Sequence, residues 1–486
     1  MSRYSLAALS GALVCAAIWW WPLAMVALVP LYALATAAPS QRDAFRYGAV
    51  AGIFLWGPIC VLTLAQLVPG LGGEYYTWVI RALSLPAALT GGILVGVVAL
   101  LWQRMSGRSP LVRTLGAAGV WVMFEALVQW ISNGYWMAAL GTSLTDAPGA
   151  LILARLGGAP LISFVAVFFA GTFVEVYRVR NTPRGIAPFG VALGVVALTV
   201  AVLAALPERT QNTLTVSIIQ SVPVQHFDLA LGSWQGNEFY NPILRALLES
   251  AGSPDLIVYP SPLAEQAMSP EQDASVGSWL ARFESTSTSV LLWGLMAQDD
   301  RTYTYNALWG AGQEQIYQKN VLYPLSDYSP WWAKFAGVEK SSEEVSSGTQ
   351  TAPLSLGGLR LGNLICSELE QDGWARRQGA SADLILADGF DAFFPSAFAG
   401  EYSIKIARYR AAELGVSVVR ANVFGPSALI AAGGKVVADL PYGHRGVLRA
   451  ELPIERVSTP YRAIGEWGTY ALCALVLCVA YRHRRR

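Results

Sequence analysis

The chain has 486 residues, 54% of them hydrophobic and only 14% charged, a balance that argues against a wholly soluble globular protein. Its formal net charge of +1 gives no general attraction to nucleic acid, so the charges matter only through where they sit. Of the 5 cysteines, Cys15, Cys60, Cys473 and Cys478 fall in apolar runs and read as small buried hydrophobes, which leaves Cys366 alone in the polar half. With 3 histidines and no CxxC or HExxH spacing, a structural zinc site is not expected, and no cofactor is implied.

In chain order, apolar runs long enough to span a bilayer are predicted near residues 4–20, 22–38, 46–68, 76–103, 114–131, 155–177 and 186–206, with an eighth at 464–481. The first lacks a strongly basic start and a small-x-small cleavage site, so it reads as an anchor. Arg42 and Arg46, then Arg104, Arg108 and Arg113, then Arg178, Arg180 and Arg184 fall in alternate loops, while "VPGLGGEYY" and "SNGYWMAALGTSLTDAPGA" contain no Lys or Arg. Positive loops stay on the cytoplasmic side, which puts residues 207–463 on the outer face of the membrane and returns the tail "RHRRR" to the cytoplasm. Three ionisable residues inside the runs, Arg81, Glu125 and Glu175, are functional-site candidates by default, Glu175 also being close enough to a run's end to be interfacial.

The texture changes after residue 206. Strands are predicted at 214–220, 255–260, 289–297, 304–310, 359–366, 382–388, 416–422 and 427–432, with helices at 237–251, 271–285 and 400–414, the last closing on Gly415. Strands alternating with helices predict an α/β layered fold. The expected organisation is a membrane domain over 1–206, an extracytoplasmic α/β domain over 207–463, and a closing membrane helix with a basic tail over 464–486.

Within that domain, "LRLGNLICSELE" ends an apolar strand in Cys366 with Glu368 two places on, at the rim where sites in α/β folds collect. A buried core cysteine is the bland reading. Against it, a lone thiol in an oxidising space is a liability unless it is used, and a nucleophile needs a nearby base or cation to become thiolate. Lys319, in "IYQKNVLYPLSDYSP", offers that cation, although lysines in such loops are usually solvated.

The pairing of Cys366 with Lys319 resembles the membrane nitrilase-like proteins typified by the apolipoprotein N-acyltransferases of the bacterial inner membrane. The resemblance covers nearly the whole chain. "YQKNVLYPLSDYSP" is similar to the family's Y-x-K-x-x-L-V-P-F-G-E-x-x-P, "LICSELE" to its I-C-Y-E, and "FDAFFPSAFAGEYSIKIARYRAAELGVSVVRANVFGPSALIAAGG" to its N-D-A-W-F through R-A-x-E and G-x-x-G. The resemblance implies a nitrilase αββα sandwich. It makes Cys366 the nucleophile that takes an acyl chain from a membrane phospholipid as a thioester, with Lys319 steadying the oxyanion and Glu368 as support. The N-terminal amine of a lipoprotein, or of another envelope peptide, would then accept the chain, in ping-pong order. Trp331, Trp332, Phe393 and Phe394 would form an apolar wall for acyl chains, or equally an interfacial aromatic anchor.

One departure bears on the chemistry. The family's general base is the glutamate of W-P-E-T, and in the matching "DLIVYPSPLAEQ" the base position is held by Ser261. A serine hydroxyl does not take a proton from a thiol near neutral pH. Asp327 also stands for a loop glutamate, and Ser367 for the tyrosine after the cysteine. Three outcomes stay open: Glu265 as replacement base, Glu368 as base, or loss of turnover with retained lipid or partner binding. The alternative function is a divergent nitrilase-like membrane protein of a conjugative transfer or envelope-assembly system, with acyl or amide chemistry on an envelope peptide as its enzymatic version and scaffolding as its non-catalytic one.

Overall fold

The computed structural model describes residues 2–66, 73–132, 134, 139–205, 210–220, 247, 250–262, 288–298, 301–310, 313–324, 326–331, 344–389 and 397–482. Two compact units emerge: Met1–Ala65, Thr77–Pro207 and Thr459–Arg486 form one, and Gln66–Tyr76 with Glu208–Ser458 the other.

The first unit is helical, and every apolar run of the sequence carries helix: Arg3–Ala16, Pro22–Val26 with Val29–Thr36, Gln41–Gln66, Gly73–Arg104, Pro110–Ile131, Ala150–Val179, Pro183–Ala204 and Trp467–Arg482. The run expected at 22–38 is two short helices, because Pro30 lacks the N–H a continuous helix would need and instead sits in the first turn of the second, which begins at Val29. Helix Ala150–Val179 is kinked at Gly157 and Gly158, the latter at φ 70, a conformation open to glycine. Among the described residues, Leu85–Arg104, Pro110–Ile131, Ala150–Val179 and Gly185–Ala204 are long and apolar enough to cross a membrane. Small residues let these helices approach closely: a Cβ on Gly48 or Gly52 would lie 2.4 Å from the carbonyl oxygen of Val95 or Gly91.

Two of the intramembrane candidates have internal partners. Glu125 accepts from Trp121 Nε1 at 2.8 Å and from the Leu140 N–H at 2.9 Å. Glu175 accepts from Tyr32 Oη at 3.0 Å, Arg113 Nε at 3.0 Å and Arg178 Nη1 at 2.9 Å, and its second oxygen pairs with Arg113 Nη2. Arg81 lies in helix Gly73–Arg104, and its side chain is outside the described residues.

The second unit holds two six-stranded sheets. Strands are β1 Thr210–Gln220, β2 Leu256–Pro262, β3 Ser289–Gln298, β4 Arg301–Gly310, β5 Gln313–Gln318, β6 Leu354–Leu356, β7 Leu359–Ile365, β8 Leu384–Gly389, β9 Ser417–Asn422, β10 Ser427–Ile430, β11 Val436–Leu440 and β12 Gly446–Glu455. The first sheet runs β12-β1-β2-β3-β4-β5 and the second β11-β10-β9-β8-β7-β6. Alternate residues of both sheets meet in one core: Val216, Ile218, Leu256, Val258, Leu308 and Tyr317 from the first, Leu361, Ile365, Leu384, Leu386, Val419 and Leu429 from the second. Helices Asp372–Gly379 and Ala397–Leu414 contact the second sheet. This is a membrane helical bundle joined in one chain to a nitrilase-like α/β sandwich.

The expected strands are present with small changes of boundary, and four more, β5, β6, β11 and β12, join them. The hairpin β10–β11 turns at Gly433 and Gly434, and β12 pairs antiparallel with β1 along its length. The expected strand 359–366 ends one residue early, at Ile365. Helices expected at 237–251, almost entirely, and at 271–285 lie outside the described residues.

Candidate active site

The parallel strands β7 and β8 end side by side, Ile365 opposite Asp388. Cys366 follows as the first residue of a 3₁₀ turn, Cys366–Glu370, and is the one non-glycine residue with positive φ, 53°, among those described. A left-handed cysteine carries backbone strain that its surroundings must hold, a setting typical of nucleophiles presented on a sharp strand-to-turn elbow. The thiol is partly buried and forms no disulfide.

Arg410, from helix Ala397–Leu414, fixes the turn. Its Nε donates to the Leu369 carbonyl at 2.9 Å and Nη2 to the Glu370 carbonyl at 3.2 Å, while Asp372 and Glu413 pair with the same guanidinium at 2.5 and 2.8 Å. A buried, fully committed arginine is a rigid strut. Arg410 and Glu413 are the ends of the R-A-x-E motif. Sequence reading quoted the motif without seeing its task, because the contact spans 41 residues of separation.

Glu368 ties the turn to the loop that carries Lys319. Its Oε1 accepts the N–H groups of Asn320 and Val321 at 2.7 and 2.9 Å, and its Oε2 accepts the Ile365 N–H at 2.9 Å and Tyr317 Oη at 3.0 Å. Trp374 Nε1 in turn donates to Tyr317 Oη at 3.0 Å. Burial pushes the Glu368 carboxyl up to about 7, against the opposing pull of the Val321, Ile365 and Asn320 donors and of the Lys319 charge.

Lys319 follows β5 directly and is 3% exposed, not the solvated loop lysine of the bland expectation. Its backbone N–H bonds to the Thr304 carbonyl at 2.7 Å. Its Nζ donates to Asp327 Oδ2 at 2.6 Å, and the same oxygen accepts the Tyr323 N–H at 2.6 Å, closing the loop on itself. Burial alone would lower the ammonium, but the negative charges of Cys366, Asp327 and Glu368 outweigh it and hold Lys319 above the ordinary lysine range. The fold therefore brings Cys366, Lys319 and Glu368 into one electrostatic cluster, with Asp327 as the partner that keeps the lysine charged. The match of Asp327 to the family's loop glutamate was the signal for it.

Ser261 lies at the end of β2, where its side chain is outside the described residues, as are Glu265, Trp332, Phe393 and Phe394 altogether. Trp331 is 80% exposed. Among the described residues no cluster of histidine, cysteine and carboxylate side chains could hold a metal ion.

Two family models match this chain. Residues 7–172 match the apolipoprotein N-acyltransferase N-terminal domain, and residues 254–461 match the carbon-nitrogen hydrolases. The apolipoprotein N-acyltransferase of Pseudomonas putida is 27% identical over 487 residues, 94% of this chain and 91% of that protein. That of Vibrio parahaemolyticus is 26% identical over 488 residues, 95% of this chain and 92% of that protein. Among solved structures, an amidase of the nitrilase superfamily from Nesterenkonia aligns over 51% of this chain and 93% of its own, with 20% identity and a TM-score of 0.36. With the helical unit matched by one model, the sandwich by the other, and the relatives aligned almost from end to end, the chain belongs to the apolipoprotein N-acyltransferase-like membrane proteins that carry a carbon-nitrogen hydrolase domain.

Proposed function

We propose that this protein transfers an acyl chain from a membrane phospholipid, through a thioester on Cys366, to the N-terminal amine of a lipoprotein or other envelope peptide, with its α/β domain on the outer face of the inner membrane. The observation that carries the reading is the left-handed Cys366, held at the head of a pinned turn beside a buried, charged lysine. The names of the relatives favour it over a non-catalytic role in conjugative transfer or envelope assembly.

In the first half-reaction the Cys366 sulfur attacks the ester carbonyl of the donor as its proton is taken up by a base, and the negative charge that develops on the carbonyl oxygen is stabilised by Lys319. Preorganised charge aimed at such an oxyanion is often the largest catalytic contribution. The bond to Asp327 uses one of the three ammonium donors and fixes where the others point. Collapse of the tetrahedral species breaks the C–O bond and releases the lysophospholipid. In the second half-reaction the peptide amine attacks the thioester and regenerates the thiol. Glu368, with both oxygens committed to the Lys319 loop and to the strand before Cys366, acts by positioning. It holds the electrophile-binding cation and the nucleophile at a fixed separation.

The test is a product assay. Detergent-purified protein, phospholipid and a diacylglyceryl-cysteine lipopeptide with a free α-amine are incubated and analysed by mass spectrometry. A lipopeptide heavier by one fatty-acyl group, absent with Cys366→Ser, is the expected result. No such product, with a family member run in parallel giving one, overturns the proposal and leaves the binding or assembly reading.

A further inference from the structure

We propose that Asp388 is the proton acceptor for Cys366, in the role that the family pattern gives to a glutamate at the position of Ser261. The inference rests on the reading of Cys366 as a nucleophile, and it concerns a residue that no motif comparison singled out.

Asp388 stands at the C-terminal end of β8, paired with Ile365, the residue just before Cys366 on the neighbouring parallel strand. Along β8 it alternates with Leu384 and Leu386, both in the core between the sheets, so its side chain shares their face. A hydrogen bond across the core confirms the direction: Asn306 Nδ2, from β4 of the opposite sheet, donates to Asp388 Oδ1 at 2.8 Å. The carboxyl is 1% exposed, and its Oδ2 has no hydrogen-bond partner among the described residues. Asn306 Oδ1 is in the same condition. A buried carboxylate with one oxygen tethered and one uncommitted is costly as a purely structural feature, and functional sites are where such groups collect.

Two charges act on Asp388 through their fields, after the larger effect of its burial. Arg420, on β9, and Lys319, after β5, both favour its ionised form. Lys319 is the same cation that senses the Cys366 thiolate, so thiol, lysine and carboxylate share one buried electrostatic neighbourhood. Burial dominates these effects and pushes the Asp388 carboxyl up to about 6. Such a group is ionised at neutral pH yet basic enough to share a thiol proton, which an exposed aspartate does poorly. Of the other buried carboxylates of the cluster, Glu368 has each oxygen taken by two donors, and Asp327 is committed to the Lys319 ammonium and the Tyr323 N–H.

The step balances as follows. As Cys366 Sγ bonds to the ester carbonyl carbon, its proton passes to Asp388 Oδ2 and the C=O electron pair moves to the oxygen held by Lys319. On collapse, the C–O bond to the lysophospholipid breaks and Asp388 returns the proton to the departing alkoxide.

The test is the pH dependence of Cys366 alkylation by iodoacetamide, followed by peptide mass spectrometry on the full chain in detergent, between about pH 5 and 9. This readout needs no acyl donor, so it separates the role of Asp388 from the acyltransferase reading. In the wild type an arm of the profile should inflect near the Asp388 value of about 6. Asp388→Asn should remove that arm and slow alkylation near neutrality by at least about tenfold, leaving only the arm set by thiol ionisation. Glu368 titrates in every variant, so the difference between profiles isolates Asp388. Asn306→Ala, which keeps the carboxylate but removes its donor, should shift the arm to higher pH, and it carries the test where Asp388→Asn does not fold. Profiles unmoved by either substitution, or a wild-type thiol inert throughout, overturn the assignment.

Discussion

Glu175 in the helical unit and Glu368 in the α/β unit are both fully buried carboxylates, and the two units satisfy them differently. Glu175 is met by the full charges of Arg113 and Arg178 and by the Tyr32 hydroxyl. Glu368 is met by three backbone N–H groups and the Tyr317 hydroxyl, with Lys319 acting on it only through its field. A charge answered by charges is a fastener between helices. One answered by backbone dipoles in a dry core sets the spacing of a site and stays sensitive to protonation.

Substitutions make this contrast testable, beginning with the largest expected effect. Glu175→Ala should destabilise the protein by about 3–5 kcal/mol in detergent unfolding, because it leaves the arginines of a buried ion pair uncompensated. Should it cost less than Glu368→Gln, the distinction between fastener and spacer fails.

Lys319→Met should lower acyl transfer by about 10² to 10³ in rate through loss of oxyanion stabilisation. It should also destabilise the fold by orphaning Asp327. The double variant Lys319→Met/Asp327→Asn should recover much of the stability and none of the activity. Recovery of activity would show that the lysine is only the partner of the aspartate.

Glu368→Gln is expected to cost about 1–3 kcal/mol, since its amide NH₂ would face backbone or hydroxyl donors now held by a carboxylate oxygen. The pH dependence of that cost has a definite sign. With a folded value of about 7, above the usual carboxylate range, the folded state binds the proton more tightly than the unfolded chain. The contribution is fully present below the unfolded pKa and is lost as pH rises through about 7. Wild-type stability should therefore fall from acid to neutral pH. Glu368→Gln should flatten this slope and be most damaging on the acid side, the residual slope belonging to Asp388, which shifts in the same direction. Calorimetry or denaturant melts across that range check it, and a slope unchanged by the substitution would refute the assignment.

Arg410→Lys gives the smallest effect, about 1 kcal/mol, by keeping the charge but losing the planar fork that grips the Leu369 and Glu370 carbonyls. A melt and the rate of Cys366 alkylation read it.

The layered fold was legible in the sequence where strands are buried on both faces, as in β8, β9 and most of β7, whose continuous apolar runs and bounding Gly, Asp and Asn mark strands directly. β12 was not, because Pro453 sits in it and its pairing with β1 reaches across more than two hundred residues. β11 was missed although Gly433-Gly434 is a turn signal. For the site, the resemblance supplied Cys366, Lys319 and Glu368. What no local pattern could supply were the long-range contacts that give them a setting: Arg410 on the turn, Tyr317 and Trp374 behind Glu368, and Asn306 against Asp388. The buried state of Lys319 was equally invisible, because its loop composition is that of a solvated lysine. Asp327 was noticed only as a departure from a motif, and its ion pair gives that departure a meaning: a shorter acid that still reaches the lysine at 2.6 Å.

The most direct test of the central claim, that Cys366 carries an acyl group, is intact-protein mass spectrometry after incubation with phospholipid alone. A fatty-acyl adduct on the wild type, released by hydroxylamine and absent from Cys366→Ser, is the result this account predicts. An unmodified wild-type mass, in conditions where a family member with the full glutamate–lysine–cysteine set acylates, would contradict it.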